Sequence, residues 1–192
     1  MKKVSLFILS LCLMFSIMPS LSLKNVMALE NDKSDEVIEG FVDLDLNNIE
    51  VGDSITVYEN PNTGGKLIID FLPTSKSRLT TGTGSWSGGT IPSKTVTMYP
   101  HYEDKNYNYS DIGFYVTYDG KNKKYLDTYG ASVGVLDGTI SGLSTKIVTA
   151  KPTTSNPAKA QMSWVYKKGS SISCYLRQDI NYKNQSRLAW RF

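Results

Sequence analysis

Apolar and polar residues alternate along most of the chain with a period of two, the signature of half-buried β-strands. Phe41-Val42-Asp43-Leu44-Asp45-Leu46 is one such stretch. Ser54 to Tyr58 and Lys66 to Leu72 flank Asn60-Pro61-Asn62-Thr63-Gly64-Gly65, which predicts a hairpin with a longer loop. Ile112 to Tyr118 and Lys123 to Val135 flank Asp119-Gly120-Lys121-Asn122. There Asp119-Gly120 is expected to supply the positive φ of a second hairpin turn. Thr139–Ala150 and Ala158–Lys167 are separated by Lys151-Pro152-Thr153-Thr154-Ser155-Asn156-Pro157, a loop by its two prolines and small polar residues. Lys168-Gly169 turns the chain into Ser171–Ile180, and Leu188, Trp190 and Phe192 share one face of the closing stretch. Helix signals are almost absent. Roughly eight to ten short strands at this spacing predict a single all-β domain, an antiparallel β-sandwich with a small β-barrel as the alternative. The expected core is Val42, Leu44, Ile55, Val57, Leu67, Ile69, Phe71, Phe114, Val116, Val133, Ile147, Met162, Trp164, Ile172, Cys174 and Leu188.

The N-terminus breaks this pattern. Lys2 and Lys3 precede an apolar run from Val4 to Met18, and Pro19 ends it. That is the layout of a secretory signal peptide, and the run falls short of the roughly 18 apolar residues of a membrane span. Val26-Met27-Ala28 fits the small-x-small cleavage rule, with Ser20-Leu21-Ser22 as runner-up. Leu11 before Cys12 excludes a lipoprotein reading. The expected organisation is a signal peptide over 1–28, an acidic lead-in over 29–36 and a sandwich over 37–192. The product would be secreted, with no transmembrane anchor after cleavage. Loss of 1–28 leaves 164 residues carrying 18 basic and 18 acidic side chains. That neutrality argues against nucleic acid as a partner.

The charge is unevenly spread. Residues 30–70 hold 11 acids and two bases, while 71–192 hold 16 bases and seven acids. The asymmetry reads as an acidic segment lying on a basic body, as a basic face for an anionic partner, or as ordinary solvated surface. The scattered lysines favour the last. Cleavage would also leave Cys174 as the single cysteine. Its alternation with Ile172 and Leu176 predicts a buried, chemically quiet thiol.

Catalytic signals are weak throughout. His101 is the one histidine, so any Ser-His-Asp or Cys-His device must use it. Gly138-Thr139-Ile140-Ser141-Gly142 places its serine one position late for a nucleophile elbow. No pair of carboxylates has a setting that marks a glycosidase. One histidine and one cysteine cannot build a closed zinc site. Asp104, Asn106, Asn108 and Ser110 alternate like the opening of a calcium loop, but Tyr109 and Tyr115 stand where Gly and Glu belong. An ordinary polar turn is the default there. Gly82, Gly84, Gly88 and Gly89 lead into Ile91-Pro92 rather than into a helix that could hold phosphate. The expectation is no enzyme, no cofactor and no metal.

The string Thr81-Gly82-Thr83-Gly84-Ser85-Trp86-Ser87-Gly88-Gly89-Thr90-Ile91-Pro92 is followed by Tyr99-Pro100-His101-Tyr102 and Gly113-Phe114-Tyr115-Val116. Over residues 80–192 this combination resembles an uncharacterised family of small secreted proteins from Gram-positive bacteria, a domain of unknown function. The resemblance implies a Gram-positive source and a β-rich fold, and it transfers no catalytic residues. Gly84-Ser85-Trp86 and the aromatic end Trp190-Arg191-Phe192 are also similar, more faintly, to the β-sandwich bacteriocins of the lactococcin type.

Aromatic recognition is the strongest chemical signal. Tyr99, Tyr102, Tyr107 and Tyr109 fall within eleven residues, interleaved with Glu103, Asp104, Asn106 and Asn108. Rings with polar tips beside amides and carboxylates suit a wet contact surface. Trp86, Tyr102, Tyr107 and Tyr109 are the expected ligand-binding residues, more exposed than Trp164 and Trp190. The function these features predict is a secreted, non-catalytic binding protein acting at the cell envelope, on a cell-wall polymer, glycan or surface protein. The alternative is an envelope- or membrane-active, bacteriocin-like antagonist.

Overall fold

The alternating stretches fold as antiparallel strands. The computed structural model describes residues 37–74, 91, 94–104 and 111–192, and the backbone of 24–28 and 109–110. Its strands are β1 (Lys24–Ala28), β2 (Glu39–Asp45), β3 (Ser54–Glu59), β4 (Lys66–Pro73), β5 (Thr95–Glu103), β6 (Tyr109–Asp119), β7 (Lys124–Val135), β8 (Thr139–Thr149), β9 (Ala158–Lys168), β10 (Ser170–Ile180) and β11 (Gln185–Arg191). A 3-10 turn, Leu46–Asn48, follows β2. Among the described residues no helix is long and apolar enough to cross a membrane.

Two sheets face each other as a sandwich. One runs β1-β2-β11-β10-β9-β8 and the other β3-β4-β5-β6-β7. Each is a meander of consecutive hairpins, except where the early β2 pairs with the last strand, β11. The barrel alternative fails because β7 and β8 belong to different sheets. They meet through Tyr125 N–H donating to Ala150 O at 2.9 Å and Thr145 Oγ1 donating to Thr128 O at 3.5 Å.

Period two decides which residues fill the space between the sheets. Along β9, Ala158, Ala160, Met162, Trp164 and Tyr166 point inward, and Leu67, Ile69 and Phe71 of β4 do the same from the other side. Twelve of the sixteen expected core residues are buried. Ile55, Val133, Ile147 and Ile172 are only half-buried against the core. The first three lie on the edge strands β3, β7 and β8, where one flank lacks a neighbour, and Ile172 lies near the start of β10. Cys174 is buried as expected, with its thiol directed at Ile172 O, 3.6 Å away.

Two expectations need correcting or extending. In the β6–β7 turn the positive φ falls on Lys123, at 51°, and not on Gly120. Gly120 is required for close approach instead: a Cβ there would run into the carbonyl of Ile91, and its N–H donates to Lys94 O at 2.8 Å. The turn is fixed by Asp119, whose carboxylate accepts from Asn122 N–H at 3.0 Å and Asn122 Nδ2 at 2.7 Å. Those bonds hold Asp119 below the usual carboxylate range. Second, β1 lies inside the stretch expected to be cleaved, where it pairs with β2 through Lys24↔Asp43, Met27↔Phe41 and Ala28↔Gly40. Cleavage after Ala28 would remove this strand, and cleavage after Ser22 would keep it.

Charge segregation resolves at the outer face of the six-stranded sheet. Arg187 grips Asp43 with two bonds, Nε to Oδ1 at 2.7 Å and Nη2 to Oδ2 at 2.8 Å, and lies over the Phe41 ring. Arg191 meets Glu39 at 3.8 Å, and Arg177 meets Asp179 at 3.1 Å. Register sets Asp43, Arg187, Asp179 and Lys159 in one cross-strand row of alternating sign. So Glu39 and Asp43, from the acidic segment, lie against arginines of the basic one.

Candidate functional site

The outer face of the five-stranded sheet is built differently. Asp70 of β4 pairs with Tyr99 of β5, and Tyr115 of β6 pairs with Tyr129 of β7. The β5–β6 register, Met98↔Val116 and His101↔Gly113, sets Tyr99 opposite Tyr115. Three tyrosines from three strands therefore form one outward row. Tyr99 and Tyr115 have ring centres 4.3 Å apart at 14°, and Tyr115 and Tyr129 are 5.3 Å apart at 11°. His101 extends the stack, 4.5 Å from Tyr99 at 15°.

Near-parallel rings this close cannot lie side by side in one plane. They stack face to face on the sheet with their centres offset, and the Tyr99 ring and hydroxyl lean over Gly113 while the Tyr115 ring leans over Gly130. Two glycines make room. A Cβ at Gly113 would come within 2.9 Å of Tyr99 Cε2, Tyr99 Oη and His101 Cβ. Gly130 has φ +63°, and a Cβ there would come within 2.8 Å of Tyr115 Cδ2. The β6–β7 register shifts between Gly113 and Tyr115, an irregularity of the kind that re-aims side chains.

Carboxylates frame the row. His101 Nε2 lies 3.3 Å from Glu103 Oε1, and Nδ1 lies 3.9 Å from Asp70 Oδ2 and 3.1 Å from Tyr99 O. Ser132 Oγ donates to Asp111 at 3.5 Å. Burial, then the negative charge of Asp111, the Tyr115 phenol, Glu103 and Asp70, pushes the Tyr99 phenol up to about 12. Its hydroxyl thus stays a donor at any physiological pH. The arrangement offers a row of stacked rings bordered by negative charge. Among the described residues no group of three or more His, Cys, Asp or Glu side chains is placed to hold a metal ion.

The expected site residues fall elsewhere or outside the description. Tyr102 is fully buried, contrary to its expected exposure. It lies three residues from Tyr99, and an odd separation on a strand means the opposite face. Its hydroxyl donates to Asp104 Oδ2 at 2.8 Å, and its ring packs on Phe192. Asp104 also accepts from the Thr63 hydroxyl, so this carboxylate of the candidate calcium loop is turned inward. Gly65 lies so close to the Tyr102 hydroxyl that a Cβ could not fit. Trp86 and Tyr107 lie outside the described residues, as do Asn106 and Asn108. Tyr109 opens β6 opposite Val135, and only its backbone is described. Trp164 and Trp190 are buried, as expected. Cys174 points into the core from one sheet while His101, only 5% exposed, lies on the outer side of the other beside Tyr99 and Glu103, so the two form no catalytic pair.

Sequence reasoning missed Tyr115 and Tyr129 and passed over Tyr99 as a site residue. The available signal was parity within strands: Tyr99 and His101 share one face, and Tyr115 shares a face with Gly113. Compared with family models, with curated proteins and with solved structures, the chain matches none.

Proposed function

We propose that this chain is a secreted, non-catalytic binding protein that engages a surface glycan or protein at the cell envelope. The observation that carries the reading is the stacked row Tyr99–Tyr115–Tyr129 with His101 on an outer sheet face. The opposite outer face spends its charges on internal ion pairs, whereas this one carries stacked rings bordered by acids. Aromatic rings and carboxylates on a rigid sheet are the means by which binding faces orient a ligand without chemistry. The test is co-sedimentation with insoluble cell-wall polysaccharides and with whole cells. The wild-type chain should sediment saturably, and the double variant Tyr115→Ala plus Tyr129→Ala should remain in solution with its fold retained. Equal sedimentation of both proteins would refute the assignment of this face.

The alternative, a bacteriocin-like membrane antagonist, draws on Leu126, Leu136, Leu143 and Val148, which are exposed along β7, β8 and the turn between them. Dye release from anionic liposomes would favour it. The row remains the stronger basis, because exposed single apolar residues are common on soluble proteins.

A further inference from the structure

The two outer faces treat their acids in opposite ways. On the six-stranded sheet Asp43, Glu39 and Asp179 each meet an arginine. On the five-stranded sheet Asp70, Glu103 and Asp111 stand on three successive strands around Tyr99. Among the described residues none of the three forms an ion pair with a lysine or arginine. Lys66 sits directly across from Glu103, yet makes its ion pair with Glu59 at 3.7 Å. Glu103 and Asp111 are themselves directly opposite each other in the β5–β6 ladder. Like charges in that position destabilise a sheet. His101 meets Glu103 and Asp70, and Ser132 donates to Asp111, but no lysine or arginine among the described residues offsets the Glu103–Asp111 repulsion, which a bound positive charge would relieve.

We propose that the row takes a polysaccharide bearing unsubstituted amino groups. The inference rests on the binding reading above and names its ligand class. Ammonium groups would sit against Asp70, Glu103 and Asp111, beside aromatic rings that favour cations further. Sugar hydroxyls would hydrogen-bond to the same carboxylates. A polysaccharide suits this surface better than a basic peptide. The main-chain groups of β4, β5 and β6 are engaged in ladders on both flanks, so a peptide laid across the sheet would find no main-chain partners. A glycan carries its polar groups on its rings and needs only side-chain tips.

The experiment is calorimetric titration at mildly acidic pH and low salt with three probes. They are a fully deacetylated glucosamine hexamer, the same hexamer N-acetylated, and hexalysine. The deacetylated sugar should bind at least about tenfold more tightly than the acetylated one, as expected if a few exposed charge pairs act together. Its affinity should fall as salt rises. Glu103→Gln plus Asp111→Asn should remove the preference and, by relieving the like-charge pair, leave thermal stability equal or higher. Equal affinity for the two sugars would overturn the cationic inference while leaving the binding reading intact. So would failure of both sugars to bind a chain that still sediments with cell-wall polysaccharide. Hexalysine binding as tightly as the deacetylated hexamer would overturn the choice of a glycan. Loss of sedimentation by wild type would sink the parent reading instead.

Discussion

Tyr102 and Tyr99 share a strand, and burial separates their chemistry. The Tyr102 hydroxyl donates to Asp104, a carboxylate only 3% exposed that also takes the Thr63 hydroxyl. Tyr102→Phe should therefore lower stability by about 1–3 kcal/mol in urea denaturation, the range for stranding a buried polar group. Tyr99→Phe removes the hydroxyl of a half-buried tyrosine that donates to no carboxylate among the described residues, and should change stability by less than about 0.5 kcal/mol. Alkaline titration separates the rings again. The Tyr99 phenol is pushed up to about 12, first by burial and then by the acids around it. Burial likewise raises Tyr102, Tyr118 and Tyr125. Each neutral phenol is favoured by the fold over the unfolded chain, whose tyrosines titrate near pH 10. That stabilisation is whole below about pH 10 and drains away as pH rises through the folded values. Near-ultraviolet phenolate absorbance should show the last tyrosines ionising together with the loss of β-sheet circular dichroism. Complete ionisation of every tyrosine in a still-folded protein would contradict the burial of these rings.

At the scale of strands, the row depends on Gly113 as much as on its rings. Gly113→Ala would push a methyl into Tyr99 and His101. It should cost about 1–3 kcal/mol, as forced repacking does, and lower ligand uptake without touching any hydroxyl. Unchanged near-ultraviolet circular dichroism in that variant would mean the stack tolerates the methyl. The strands themselves were legible in the sequence. Alternation located β2 to β4 and β6 to β11 and their inward faces, because burial between two sheets imposes period two on every strand. Even Leu188, Trp190 and Phe192 were readable as one face, and all three are buried. The contact surface was not legible, for a physical reason. Counting aromatics along the chain groups Tyr99 with Tyr102, whereas a sheet groups residues across strands. Tyr99, Tyr115 and Tyr129 come from three strands and meet only through register, which depends on turns and irregularities that composition does not reveal. The Gly120 turn failed likewise, since a dipeptide motif cannot foresee that Ile91 would press against it.

For the molecule as a whole, the decisive pairing joins the two ends of the domain. β11 lies between β2 and β10, and Phe192 N–H donates to Ile38 O at 2.9 Å. Deleting 185–192 removes Leu188, Trp190 and Phe192 from the core and leaves β2 unpaired on the flank that faced β11. The shortened chain should be protease-sensitive and aggregate, because two strand flanks are bared at once. A truncated protein with native protease resistance would contradict this topology. The same pairing orders events in time. A chain emerging from a ribosome delivers β2 early among the described strands and β11 after all the others. The six-stranded sheet thus has a gap at its middle until β11 has emerged. The middle of this sheet therefore cannot be assembled strand by strand as the chain appears, and its two halves must wait for a strand made long after the first of them.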